Sequence, residues 1–241
     1  MTLLEAIDIR RSRRQYDGKP IEDHIINALS ELACEYTNQG IRIEFVWNDG
    51  TAFNGFRKSY GMFKGVTHYA ALIAEKDSPL HIEKLGYYGE MIVLHATVKG
   101  LGTCWVGGTF HRRSCPISLA DHEKLYCVIS IGYTDANESQ REKLIRKITH
   151  HQTKTAADMY KSDSIVPDWF MSGMRAVEKA PSAMNRQPVI FEYQNHVTTA
   201  SILNERDTGS LIDLGIAKLH FELGAGNGQW LWGNRSEYRV Q

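Results

Sequence analysis

No CxxC pair, no long apolar run and no excess of either charge marks this sequence. Its four cysteines, Cys34, Cys104, Cys115 and Cys127, are scattered. Neither a disulfide framework nor a zinc site is expected, and the thiols read as reduced, as in a cytosolic protein. The ten histidines show no metal-ligand spacing. Basic and acidic residues balance at 28 each, which argues against a general nucleic-acid or membrane-surface binder. No apolar run reaches the roughly 18–20 residues of a membrane-spanning helix. Glu5, Asp8 and Arg10 interrupt the stretch where a secretory leader would lie. There is no GxGxxG with an acidic ribose partner and no GxxxxGKS, so Rossmann and P-loop readings fail. The expectation is a soluble, cytoplasmic chain with no nucleic-acid and no membrane partner.

What is present is ordinary globular material: 241 residues, 42% hydrophobic and 23% charged. Helical spacing predicts a short helix from Leu3 to the arginines and a second from Pro20 to about residue 36. IRIEFVW (41–47) alternates as a strand, and HYAALIAEK (68–76) and LYCVISIGY (125–133) read as buried strands. Leu80 to Lys99 is a long helix, capped by glycine before GLGTCWVGG (100–108), a strand or loop. TDANESQREKLIRK is polar and is expected to cross the surface. Residues 149–166 dip in apolar content and mark a junction. Beyond it come a helix from Asp168 to about Lys179, the turn APSAMNRQP, the strands VIFEY and HVTTASILN, and a helix from about Gly209 to Leu223 with Glu222 on its surface. This places one lobe at 1–150 and a second at 151–241.

The lobes resemble each other. GEMIVLHATVKGLGTCWVGG (89–108) lies on GIAKLHFELGAGNGQWLWGN (215–234), matching Leu94 with Leu219, His95 with His220, Trp105 with Trp230, and Gly108 with Gly233. Such a repeat suggests duplication, with the lobes packing as two subunits of a dimer would. His95 and His220 read as satisfied, partly buried side chains, and Trp230 and Trp232 as packing residues between lobes.

Three stretches carry chemistry. IDIRRSRR holds Arg10, Arg11, Arg13 and Arg14 around Ser12. Guanidinium groups bind phosphate bidentately, although a charge run also suits a solvated helix end. In APSAMNRQP, Pro181 and Pro188 stiffen a turn, while Ser182 and Asn185 offer groups for a heterocycle edge or a ribityl hydroxyl. In GLGTCWVGG, glycines admit close backbone approach and Trp105 can cover a planar ring.

Together these stretches resemble the nitroreductase family of FMN flavoproteins: IDIRRSRR its opening I-x-x-R-R-S-x-R motif, APSAMNRQPVIFEY its A-P-S-x-x-N-x-Q-P-W-x-F segment, and GLGTCWVGG its G-L-G-T-x-W stretch. The resemblance touches most of the chain. It implies an α+β, nitroreductase-like fold: two related α/β lobes with central antiparallel sheets flanked by helices, pseudo-twofold within one chain. In ordinary members both motifs lie in one lobe and FMN sits at the dimer interface. Here lobe one has ACEYTNQG in place of the Pro/Ser motif, and lobe two lacks RRSRR. The sequence is similar to a single-chain subgroup, a fused dimer with one flavin site retained.

By this resemblance Arg10, Arg11 and Arg14 would meet the flavin phosphate, which carries about −1.5 to −2 charges, and Ser12 the ribityl chain or pyrimidine edge. Pro181, Ser182, Ala183 and Asn185 would wrap the ring, with Gln187 holding their turn. Trp105, Val106, Gly107 and Gly108 would present backbone N–H groups to flavin N5. Arg146 and Lys147 would close on the phosphate, and Tyr60 and Lys64 would border the pocket. No catalytic side chain and no metal ligand is named. The implied activity is an FMN-dependent NAD(P)H oxidoreductase working by ping-pong transfer to a small-molecule electron acceptor, with NADH or NADPH as transient reductant. The alternatives are a flavin-handling module without efficient nicotinamide turnover, and a phosphate or RNA binder using RRSRR. A monomer mimicking a dimer is expected, with further self-association left open.

Overall fold

The structure, a computed structural model, describes residues 1–54, 61–149 and 153–241. Tyr60, His150 and His151 lie outside the described residues. The fold is α+β. The described helices are α1 (Leu3–Ile9), α2 (Asp23–Tyr36), α3 (Pro79–Val98), α4 (Gln140–Thr149), α5 (Asp168–Val177) and α6 (Ser210–Ala225). The strands are β1 (Ile41–Val46), β2 (His68–Glu75), β3 (Gly102–Val106), β4 (Glu123–Gly132), β5 (Tyr160–Ser162), β6 (Val189–Gln194), β7 (Val197–Ile202), β8 (Gly228–Trp230) and β9 (Ser236–Val240). The chain divides into two compact units. One comprises Met1, Ile9–Lys76 and Ile92–Ile148; the other Thr2–Asp8, Asp77–Met91 and Thr149–Gln241. Among the described residues no helix is long and apolar enough to cross a membrane.

The first unit is built on an antiparallel sheet of order β1-β2-β4-β3. Helix α2 buries Ile25, Leu29, Ala33 and Tyr36, a stripe at near-helical spacing. Strand β2 is buried along its length up to Ala74, which explains its unbroken apolar run. Tyr16, Phe53, Val66, Tyr69, Val106, Phe110 and Val128 share one hydrophobic core.

The second unit has the sheet order β5-β6-β7-β9-β8, antiparallel except for the β5–β6 pair. Phe221 is the centre of its aromatic core. Its ring lies 5.1 Å from Phe191, 5.3 Å from Trp230 and 5.2 Å from Tyr238. Trp230 is therefore core of this unit, and Trp232 packs on Tyr87 and Tyr88 of the same unit. For Trp230 that corrects the expectation of packing between lobes; Trp232 does join residues either side of the linear boundary at residue 150, but Asp77–Met91 belongs to the same compact unit as Trp232.

With β5 set aside, two successive stretches of the chain share one order of elements. Each runs helix, two strands, helix, two strands, as α2-β1-β2-α3-β3-β4 and α5-β6-β7-α6-β8-β9. The sheet orders correspond, β1-β2-β4-β3 with β6-β7-β9-β8. Gly100 (φ 80°) and Gly226 (φ 68°) end α3 and α6 in the left-handed region, where glycine carries no Cβ penalty.

The sequence reading missed α4, β5, β8 and β9. Helix α4 buries Glu142 and exposes Leu144 and Ile148, so it shows no apolar stripe facing inward. The three strands are short. The SQRE of residues 139–142 nonetheless fits a capping box. Glu142 N–H donates to Ser139 Oγ at 3.1 Å, and Ser139 N–H donates to Glu142 Oε2 at 2.9 Å.

Within the second unit α3 and α6 pack at backbone contact. A Cβ on Gly86 would lie 2.0 Å from the Ile212 carbonyl oxygen, and one on Gly215 1.9 Å from that of Glu83. Two charged pairs are buried in the same seam. Lys218 Nζ donates to Glu83 Oε1 at 2.5 Å, to Ser236 Oγ at 2.7 Å and to the Gly233 carbonyl at 2.9 Å. Glu83 Oε2 accepts the Gly233 N–H at 2.9 Å. Burial pushes the Glu83 carboxyl up and the Lys218 ammonium down, and their attraction opposes both shifts. His220 Nδ1 sits 3.0 Å from the Ala176 carbonyl and Nε2 3.0 Å from Glu90 Oε1. A carbonyl only accepts, so Nδ1 carries a proton. The Nε2–Glu90 contact gives the other ring nitrogen its partner. His220 is thus a satisfied core histidine.

Removing one member of a buried ion pair strands the other. Lys218→Met should destabilise the protein by about 3–5 kcal/mol in urea unfolding, and Glu83→Leu added to it should recover part of the loss. An unchanged midpoint for the single variant contradicts this packing.

Candidate functional site

After α1 the chain runs extended beside β3, the edge strand of the first sheet. Ser12 forms a parallel bridge with Thr103, and Arg13 N–H donates to the Thr103 carbonyl at 2.8 Å. Further on, Lys64 N–H donates to the Arg14 carbonyl at 3.0 Å and Tyr16 N–H to the Lys64 carbonyl at 2.9 Å. Side chains of an extended segment alternate in direction, so the arginines are not equivalent. Arg13 is buried; Arg10, Ser12 and Arg14 are half-buried and Arg11 is exposed. Arg11 Nη1 donates to the Arg10 carbonyl at 2.8 Å.

Arg13 is consumed internally. Its Nη1 donates to Thr134 Oγ1 at 2.7 Å and to the Asp135 carbonyl at 2.8 Å, its Nη2 to the Asn137 carbonyl at 3.2 Å, and its Nε to Glu142 Oε1 at 3.2 Å. Arg10, Ser12 and Arg14 share the Cys104 side of the segment. Burial pushes the Cys104 thiol up, while Arg14, Arg10 and a hydrogen bond with Ser12 pull it down. The net direction is up, so Cys104 stays a thiol and not a nucleophile.

Glu142 fixes this arrangement. Its carboxylate is 2% exposed. Oε1 accepts the N–H groups of Arg14 at 2.7 Å and Gln15 at 3.2 Å as well as Arg13 Nε, while Oε2 caps α4. Burial works against its ionisation, but the Arg14 and Ser139 N–H groups and the Arg13 guanidinium outweigh it and hold the carboxyl at about 2. The sequence reading missed Glu142; the capping-box pattern was its one signal.

Past Ser12's neighbour Thr103, β3 continues through Trp105 to Val106, whose side chain is in the core. Gly107 and Gly108 follow, exposed, and a Cβ on either would meet nothing within 4 Å. The Gly107 carbonyl accepts from Arg112 Nη2 at 2.8 Å. Arg146 and Lys147 lie in the last turn of α4, exposed, with Arg146 3.0 Å from Glu138. Lys64 is exposed beside Gln15.

In the second unit, residues 181–187 form a tight turn. Met184, Asn185 and Gln187 have φ of 55°, 53° and 45°, left-handed values that cost energy in non-glycine residues. Hydrogen bonds hold them. Gln187 N–H donates to Ser182 Oγ at 2.9 Å, and Gln187 Oε1 accepts the Lys154 N–H at 2.7 Å. Asn185 Nδ2 donates to Thr153 Oγ1 at 3.2 Å. Ala183 N–H donates to Asp213 Oδ1 at 3.0 Å. Pro181 and Ser182 are half-buried and Ala183 is exposed. Asp213 and Lys154 are further residues that sequence reasoning missed. An acidic residue in the first turn of an apolar helix reads as a dipole complement.

Among the described residues no cluster of histidine, cysteine and carboxylate groups could hold a metal ion. The donor set beside β3 suits an anion: two guanidinium groups and a hydroxyl, next to an open glycine pair.

Because the folded carboxyl of Glu142 lies below its ordinary value of 4.5, its stabilisation is complete above that value and is lost as pH falls towards 2. Glu142→Gln should therefore unfold earlier than wild type at pH 6, with the gap closing between about pH 4.5 and 2. Thermal unfolding followed by circular dichroism across this range checks it; a constant gap contradicts the assignment.

No curated protein matches the chain. The structure of a "putative nitroreductase" from Thermotoga maritima superposes with a TM-score of 0.68 at 19% identity, covering 99% of this chain and 92% of that one. A "Putative NADH Oxidase" from Clostridium acetobutylicum gives 0.44 at 25% identity over 55% of this chain and 89% of its own. An "FMN-dependent nitroreductase" from Mycobacterium smegmatis, "in complex with NADPH", gives 0.45 at 18% identity over 54% and 86%. The T. maritima match shows a shared fold. The family described as "Putative TM nitroreductase" matches residues 2–225, and to that nitroreductase family the chain belongs.

Proposed function

We propose that this chain is an FMN-dependent NAD(P)H oxidoreductase of the nitroreductase type. One observation carries the reading beyond family membership. Alternation along residues 10–14 spends Arg13 on Glu142 and leaves Arg10, Ser12 and Arg14 together on the other side of the segment. A phosphate dianion is the group such a donor set fits.

Arg10 and Arg14 would bind the flavin phosphate, and Ser12 the ribityl chain or pyrimidine edge. Arg11, Arg146 and Lys147 would add positive potential. Trp105, Val106, Gly107 and Gly108 would approach the ring through backbone groups, which the bare Cα atoms of the glycine pair allow. Pro181, Ser182, Ala183, Asn185 and Gln187 carry the second flavin motif, and their strained turn is rigid enough to position a ligand. When bound, the flavin supplies hydride transfer, from NADH or NADPH and on to a nitroaromatic, quinone or similar acceptor, in a ping-pong sequence. The protein's part is position and field. The shared order of helices and strands in two successive stretches of the chain supports reading it as an internal duplication.

Charge-assisted hydrogen bonds are worth about 1.5–3 kcal/mol each. Arg10→Ala with Ser12→Ala should therefore weaken FMN binding at least about tenfold, while the exposed Glu31→Ala leaves it unchanged. Glu222 is a poor control, because it accepts from Tyr87 Oη at 2.7 Å and is not a free surface residue. Under nitrogen, NADH or NADPH should bleach the bound flavin. Bleaching by dithionite alone would mark a flavin-handling module instead, and equal flavin retention in both variants contradicts the site.

A further inference from the structure

Helix α6 is buried over most of its length and contains a carboxyl group in its first turn. Asp213 is 5% exposed. Its Oδ1 accepts the Ala183 N–H at 3.0 Å. Its Oδ2 is buried and has no hydrogen-bond partner among the described residues. The carboxyl borders a pocket beneath the 181–187 turn, lined by Pro181, Ser182, Gln187, Val177 and Met159, with room for about one water molecule. An orphaned buried oxygen is costly, and far more so when charged.

Burial pushes the Asp213 carboxyl up to about 7, against the pull of the Ala183 N–H and of Arg186 and with a push from Asp207. Arg186, from the turn, and Asp207, from the loop before α6, are the charged groups that act on it. Lys154 and Glu178 border the same turn but are directed elsewhere. Lys154 Nζ donates to the Gln187 carbonyl at 2.8 Å, and Glu178 Oε2 accepts the Ala156 N–H at 3.1 Å. Ala183, whose N–H Asp213 receives, directly precedes the left-handed pair Met184 and Asn185. Strain of that kind persists only where surrounding contacts enforce it.

We propose that Asp213 is a positioning residue for the Ala183–Gln187 turn: protonated, it holds the turn in the flavin-receiving shape, and on ionising it draws water into the pocket beneath and loosens flavin binding. The inference rests on the flavin reading above. A buried carboxylate with one oxygen unpaired must either be hydrated or pull its neighbours out of place, and the turn is the neighbour it holds. Neutral Asp213 leaves the same oxygen unpaired at a much smaller cost.

The test is titration of the apoprotein with FMN, read by quenching of flavin fluorescence, between pH 6 and 8. Asp213→Asn keeps an acceptor for Ala183 but cannot ionise; Asp213→Ala loses the acceptor. The protonated fraction of a group titrating near 7 falls about tenfold across this range, so the wild-type Kd should rise about tenfold relative to that of D213N. Taking the ratio removes the titration of the FMN phosphate itself, which is common to both. D213A should bind weakly throughout. Thermal melts of each apoprotein establish that the variants fold, and wild type should lose stability relative to D213N as pH rises from about 4 to 7. A Kd ratio that stays constant while both bind FMN overturns the role given to Asp213 alone. No FMN binding by any of the three overturns the flavin reading, and this inference with it.

Discussion

The candidate site depends on one buried carboxylate. Glu142 lies on a helix whose other described side chains are half-buried or exposed and takes the backbone N–H groups of Arg14 and Gln15, the Arg13 guanidinium and the N-terminus of its own helix. Ion pairs in cores often fail to offset their desolvation. Here the carboxylate is satisfied mainly by backbone donors, and these hold it ionised despite burial. The consequence reaches the surface. Once Arg13 is drawn inward, alternation of the extended chain turns Arg10, Ser12 and Arg14 to its other side. A cluster of like charges is thereby divided into one structural guanidinium and a group of donors.

The second unit solves a different problem. Its helices α3 and α6 approach at Gly86 and Gly215 so closely that neither position admits a side chain, and the seam contains Glu83, Lys218, Glu90 and His220. Each is paired, and the Lys218 network also ties down the chain between β8 and β9. Asp213 is the exception, with one oxygen left unmatched. Strain in the 181–187 turn and that oxygen are adjacent features of one region. Both have an energetic cost that packing alone does not require.

Much of the fold was legible in the sequence because its elements follow simple periodicities. Helix α2 places Ile25, Leu29, Ala33 and Tyr36 inward, and β2 is apolar because it is buried. Helix α4 was not legible in this way: its buried residue is charged and its apolar residues Leu144 and Ile148 face solvent, so a hydrophobic period points nowhere. The SxxE cap was present, but it gains force only beside a recognisable helix. Strands β8 and β9 are short: β8 pairs with β9, and β9 joins the sheet through β7, on the far side of α6 in the chain. The site motifs were legible as residue types. The division of labour among the arginines was not, since it follows from Glu142, more than a hundred residues away in the chain. The weight of Asp213 was hidden for the same reason, as the turn it holds lies thirty residues earlier.

At the centre stands the proposal that the donors Arg10, Ser12 and Arg14 hold one flavin per chain. Counting FMN per chain, by absorbance of protein loaded with FMN and freed of excess, tests this most directly. One flavin per chain is the expected result. Protein that stays colourless, or that holds two flavins per chain, would contradict it.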